Sequence, residues 1–100
     1  MSEKSNPIHP GQILRKLYLE PAGISPYRLS KETKLSSTRI SQILNGKRGI
    51  SVETALRFAR YFGNSPEYWM GIQAQYELTL AGDELKERIE AEVTPLKVEG

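Results

Sequence analysis

Between Ser37 and Arg48 the chain sets out short hydroxyls, amides and cations, and no carboxylate: Ser37, Thr38, Arg39, Ser41, Gln42, Asn45, Lys47 and Arg48. These groups suit the edges of nucleic-acid bases. A Gln amide matches adenine N6 and N7, a guanidinium matches guanine O6 and N7, and a Thr methyl can meet the thymine methyl. Lys and Arg just beyond them can hold phosphates. No Asp or Glu occurs from Lys34 through Val52, so nothing in that stretch repels a polyanion.

Other chemistries lack their parts. With no cysteine there is no disulfide, thiolate ligand or cysteine nucleophile. The single histidine, His9, cannot assemble a metal cluster with scattered carboxylates, and its place before Pro10 assigns it to a lead-in loop. No nucleophile–base pair or glycine-rich phosphate loop is present, so an enzyme is the least supported class and no cofactor is expected. No apolar run approaches the length of a membrane span, and the polar opening residues do not resemble a signal peptide. The expectation is a cytoplasmic protein, nucleoid-associated when bound to DNA, with no membrane partner.

The net charge of +2 conceals a strong asymmetry. Residues 1–60 carry eleven Lys/Arg against four Asp/Glu, a net of +7. Residues 61–100 carry three against eight, a net of −5. Such a split suits a basic face for a polyanion and an acidic tail for something else.

The elements that must position these groups are helices, since no segment alternates as a half-buried strand does. Pro10-Gly11 leads into a first helix with Ile13, Leu14 and Leu17 on one face, ended by Pro21 and Gly23. Ser25-Pro26 pairs an N-cap with proline at the first helical position, and Ser36 and Ser51 are further caps. The helix after Ser51 places Val52, Ala55, Leu56, Ala59 and Phe62 on one buried stripe. Ser65-Pro66 opens a fifth helix carrying Trp69, Ile72 and Tyr76, with a break expected at Gly82-Asp83. The prediction is an all-α, five-helix bundle with a central helix-turn-helix and a short charged C-terminal extension. Residues 1–7 read as a flexible tail, 8–81 as the helix-turn-helix domain with its dimerisation helix, and 82–100 as a charged, partly helical or disordered tail.

Residues 26–33, 34–36 and 37–45 have the lengths of a helix-turn-helix. Ser30 is small where the helices must cross, and Ile40 and Ile43 lie beneath the second helix. With Ile40 inward, Thr38, Gln42 and Asn45 face out, flanked by Arg39 and Ser41, with Ser37 in the exposed first turn. Because such a helix enters the major groove N-terminus first, Ser37, Thr38, Arg39 and Gln42 are the expected base readers. Lys31, Lys34, Ser41, Asn45, Lys47 and Arg48 are the expected phosphate contacts. The same periodicity suits an ordinary polar face on a helical core; the acid-free stretch and the Gly46-Lys47-Arg48 loop favour DNA.

A ridge of Tyr68, Trp69, Ile72, Tyr76 and Leu80 on the fifth helix has no sixth apolar helix to cover it. A two-fold self-contact is one solution, and packing back on the first helix is another. Trp69 itself suits the core or the interface.

From His9-Pro10-Gly11-Gln12-Ile13-Leu14 to Gln73-Ala74-Gln75-Tyr76-Glu77-Leu78 the chain resembles the HigA family of bacterial antitoxins, within the Xre/lambda-repressor-like group. Leu29-Ser30-Lys31, Ser41-x-Ile43-Leu44-Asn45-Gly46-Lys47-Arg48 and Thr54-Ala55-Leu56-Arg57-Phe58 carry the broad likeness. Gly63-Asn64-Ser65-Pro66-Glu67-Tyr68-Trp69 and the Gln73–Leu78 stretch narrow it to the antitoxin branch. Gln12, where the family often has an acid, and Lys34, where the turn usually has glycine, depart from the pattern. The resemblance implies a homodimer that binds an inverted-repeat operator in double-stranded DNA, autorepresses its operon and neutralises a small basic RNase toxin that cleaves mRNA. Family members without a toxin act as standalone regulators of phage or plasmid type, which is the alternative. A pure protein-interaction module is a third reading, opposed by the basic arc of Arg39, Lys47 and Arg48.

Overall fold

The computed structural model describes residues 6–97, so residues 1–5 of the expected N-terminal tail and 98–100 of the C-terminal one lie outside it. Its elements are α1 (Pro10–Ile13), a π-helical turn (Leu14–Leu19), α2 (Glu20–Ala22), α3 (Pro26–Thr33), α4 (Ser37–Leu44), α5 (Val52–Phe62) and α6 (Pro66–Glu92). The first three run on as one segment, giving five helical segments among the described residues and no strand.

Serine caps start four of the five. The side chains of Ser25, Ser36, Ser51 and Ser65 each accept the backbone N–H three residues on, at 3.1 to 3.2 Å. Each satisfies one of the amides that a helix start leaves without a partner. Pro26 and Pro66 follow two of these caps at positions that need no N–H. Gly23 and Gly63 end their helices in the left-handed region, at φ 65° and 77°.

The first segment departs from its expected register. Pro21 does not stop it; the helix passes through and ends at Gly23. Proline has no N–H to donate, and its ring crowds the carbonyl one turn back. The wider π turn accommodates this, with the Glu20 N–H reaching back five residues to the Arg15 carbonyl. Residues five apart now share a face, so Leu14 and Leu19 are buried while Leu17 is 63% exposed. The expected Ile13-Leu14-Leu17 face is therefore replaced by one built on Leu14 and Leu19.

The buried stripe of α5 is also shifted: Thr54, Ala55, Phe58 and Ala59 are inside, whereas Val52 and Leu56 face solvent. Helix α6 carries no break at Gly82-Asp83 and continues to Glu92, a 27-residue helix about 40 Å long. One helical glycine costs only about 1 kcal/mol relative to alanine. The flanking sequence is good helix former, with an exposed Arg88–Glu92 pair at 3.2 Å one turn apart. Most of the distal half projects into solvent.

The core gathers Leu14, Leu29, Ile40, Ile43, Phe58 and Trp69, all at or near zero exposure. Trp69 was expected on the α6 ridge as well as in the core, and the structure places it wholly inside. Its ring lies 5.0 Å from Tyr18 and 5.1 Å from Phe58, centroid to centroid, and its indole N–H donates to Asn64 Oδ1 at 2.8 Å. Asn64 in turn donates to the Tyr18 hydroxyl at 3.2 Å, which ties the start of α6 to the first segment.

Helices α1 and α4 meet backbone to backbone. A Cβ on Gly11 would stand 2.0 Å from the Ile43 carbonyl oxygen. Gly11→Ala should therefore cost roughly 3 kcal/mol, lowering the thermal midpoint by roughly 15 °C. Calorimetry giving a midpoint within a degree or two of the wild type would show that this contact does not limit packing.

Candidate nucleic-acid interface

The turn between α3 and α4 comprises Lys34, Leu35 and Ser36, as the spacing predicts. Lys34 holds φ 64°, the one non-glycine residue with positive φ among those described, at the position where the broad family favours glycine. One side chain of α3 braces the turn, and another bonds back within the helix. Ser30 Oγ donates to the Leu35 carbonyl at 2.6 Å, and Thr33 Oγ1 donates to the Leu29 carbonyl at 2.6 Å. Ser30 is buried where the helices cross. It therefore fills a small space and also supplies a partner for a turn carbonyl.

With Ile40, Ile43 and Leu44 turned into the core, α4 presents its other face outward. Ser37, Thr38, Ser41 and Asn45 are exposed, and Gln42 and Arg39 are half-buried at its margins. Lys31, Lys34, Lys47 and Arg48 are exposed around them. The structure thus brings the four candidate base readers and the candidate phosphate contacts of α4 and its loop onto one surface.

Within that surface the side chains are already engaged with one another. Arg48 Nε donates to Gln42 Oε1 at 2.8 Å, linking a candidate phosphate contact to a candidate base reader. Asn45 Nδ2 donates to Ser41 Oγ at 3.3 Å. Lys31 Nζ stands 5.5 Å over the Tyr27 ring. Arg39 leans away from the centre of the face and pairs with Glu53 on α5 at 3.1 Å. Glu53 also binds Arg57 at 3.1 Å, and Arg57 Nη1 reaches the Thr33 carbonyl at 3.1 Å. Hydrogen bonds from Arg39 and then Arg57 hold the Glu53 carboxyl below the usual carboxylate range. This chain of contacts links α3, α4 and α5 along the edge of the face. For Arg39 to reach a base it must exchange Glu53 for the nucleic acid.

Three residues of this region escaped the sequence reading. Glu53 had a signal, being the first acid after the acid-free run. His9 was assigned to a lead-in loop without chemistry, yet it is buried and caps α1, its Nδ1 accepting the Gly11 N–H at 2.9 Å. Burial lowers its pKa, and a backbone hydrogen bond to Arg48 acts the other way. Gln73 is a buried amide on α6 whose Oε1 accepts the Ile50 N–H at 2.7 Å. The His9 cap is local and stands before Pro10 as two of the serine caps stand before theirs, whereas its burial against Tyr76 and the role of Gln73 depend on contacts between distant segments.

The ridge on α6 divides. Tyr68 packs 6.2 Å from Tyr18 and Tyr76 lies 4.9 Å from His9, so both lean on the N-terminal segment of the same chain. Tyr68, Ile72 and Tyr76 remain half-buried and Leu80 exposed. An apolar groove of about 220 Å³ opens beside them, lined by Ile8, Ile13, Ile72 and Tyr76 among others.

Residues 14–69 match the helix-turn-helix family model, which spans more than half the chain. Virulence-associated protein I of Dichelobacter nodosus is 46% identical over 74% of this chain and 68% of its own length. Antitoxin HigA-1 of Vibrio cholerae is 31% identical over 75% of this chain and 70% of its own. The Pseudomonas aeruginosa antitoxin HigA, solved with the higBA promoter, superposes with a TM-score of 0.87 at 40% identity, covering 92% of this chain and all of that one. The continuous match through the helix-turn-helix and into α6 shows that the chain belongs to the helix-turn-helix family, in its HigA antitoxin branch.

Proposed function

We propose that this chain is a sequence-specific repressor that reads the major groove with α4 and serves as the antitoxin of a type II toxin–antitoxin module. One observation carries the DNA reading. The outward face of α4 and the loop after it bring hydroxyls, an amide and cations together beside the chain's basic half, with no carboxylate at their centre. The HigA of P. aeruginosa, of closely similar structure, was solved with its promoter, which supports the same role here. Ser37, Thr38 and Gln42 are the base readers, with Arg39 joining when it leaves Glu53. Lys31, Lys34, Ser41, Asn45, Lys47 and Arg48 meet the backbone.

Two copies bind an inverted repeat, since a two-fold dimer mirrors a palindromic site. The half-buried residues Tyr68, Ile72 and Tyr76, the exposed Leu80 and the adjoining groove supply the apolar surface for that contact. The charge split supports the division of labour: the basic half faces DNA, and the acidic C-terminal half suits a basic, RNA-cleaving toxin. Repression of its own operon and neutralisation of that toxin follow from the antitoxin role. Among the described residues no helix is long and apolar enough to cross a membrane, which accords with a cytoplasmic site of action.

Gln42→Ala should lose discrimination at one operator base pair while binding to scrambled duplex survives, as read by titration against single-base operator variants. Lys47→Ala should weaken all duplexes alike and flatten the dependence of log affinity on log salt by about one unit. Unchanged specificity in the first, or an unchanged slope in the second, removes that residue from its role. Affinity capture of the tagged chain from nuclease-treated lysate should yield a small stoichiometric partner that halts growth when expressed alone. Repeated recovery of the chain by itself would leave a standalone DNA-binding regulator.

A further inference from the structure

The loop that presents Lys47 and Arg48 is anchored at both ends by residues outside the helix-turn-helix. At its far end the Ile50 N–H donates to Gln73 Oε1 on α6 at 2.7 Å. The same amide sends its Nε2 to Glu77 at 2.9 Å, so both ends of this buried side chain are used. Gly49 lies directly against it: a Cβ there would be 2.6 Å from the Gln73 amide. At the near end stands His9. Its Nδ1 accepts from Gly11, its ring lies where a Cβ on Gly46 of the loop would meet it at 3.9 Å, and the Tyr76 ring of α6 meets it edge-on at 4.9 Å.

A core position on α6 has no packing need for an amide; an apolar side chain of similar size would fill the space without desolvating polar atoms. What Gln73 adds is a fixed acceptor for a loop N–H, and the buried Ile50 sits on that N–H. Ordering a cationic loop before it meets phosphate removes an entropic cost from binding. The contacts that would set this order come from α6 and the lead-in to α1, not from α4.

We propose that Gln73 and His9 are positioning residues for DNA binding, which fix the 46–50 loop so that Lys47 and Arg48 meet phosphates in a preset geometry. The inference rests on the DNA-binding reading above and makes the first third of α6 a determinant of affinity for any duplex.

The test uses the full chain with Gln73→Leu, which keeps the bulk and removes the acceptor. A second variant, His9→Asn, keeps an acceptor for the Gly11 N–H but removes the ring that lies between Gly46 of the loop and Tyr76. Two probes are needed: an operator duplex selected by the wild-type chain from a random pool, and a scrambled duplex of equal length. Each variant should bind both about tenfold more weakly, with the salt slope flattened by about one unit. In the free protein, hydrogen exchange at the Ile50 amide of Gln73→Leu should accelerate about tenfold, while Trp69 emission and helical content stay unchanged. If Gln73→Leu fails to fold, the affinity and salt slope of His9→Asn decide. Wild-type affinity and slope in a folded variant would overturn the proposal, even if exchange at Ile50 rises. Failure of the wild-type chain to select any duplex would overturn the DNA reading itself, a result distinct from a wild-type chain that binds and variants that bind equally well.

Discussion

Where Gly11 passes the Ile43 carbonyl, two helix backbones approach more closely than any side chain would permit. That contact seats α4 against the first helical segment. It lets Ile40, Ile43 and Leu44 close over Leu14 and Leu29, so the inner face of α4 is fully committed to the core. With one face committed, the other is left to solvent, and its residue types follow from which positions remain. The left-handed turn at Lys34 and the buried Ser30 hydroxyl fix the angle at which α3 delivers α4 to that seat. Packing and function are thus two sides of one helix.

Electrostatics then organises the exposed side. Surface ion pairs contribute little stability, at most about 1 kcal/mol each. The Arg39–Glu53–Arg57 chain is better understood as orienting side chains than as holding the fold. Glu53 keeps one guanidinium at the margin of α4 and draws another toward the Thr33 carbonyl at the end of α3. The Arg48–Gln42 hydrogen bond does the same for the loop and the helix before it. A nucleic acid docking on this surface replaces these internal partners with phosphate and base edges. The net gain is therefore a difference between two sets of hydrogen bonds.

Local chemistry was legible in the sequence because it depends on neighbours in the chain. The serine caps, the prolines at the first helical positions, the stop at Gly23, the helix-turn-helix spacing and the inward face of α4 all stand as read. The positions that differ depend on longer-range physics. Leu17 turned outward because Pro21 forces a π turn, and a 3.6-residue period cannot anticipate that. Phe58 is inside, with Val52 and Leu56 outside, because its ring meets Trp69 of α6 at 5.1 Å, a contact between helices that the period of α5 alone does not choose. Gly82 did not stop α6, since helix formers on both sides outweigh a single glycine. Trp69 left the surface ridge because Tyr18, Phe58 and Asn64 converge on it from three segments. His9 and Gln73 could not be placed from sequence: the partners that make sense of a buried imidazole and a buried amide lie tens of residues away.

Backbone amide shifts of the labelled protein during titration with its selected operator duplex measure the central claim most directly. The account predicts the largest changes at Ser37, Thr38, Ser41, Gln42, Lys47 and Arg48, with smaller ones along the Lys31–Lys34 flank. Saturating binding that leaves those amides unmoved, with the changes gathered on the outer face of α5 or the distal half of α6, would contradict it.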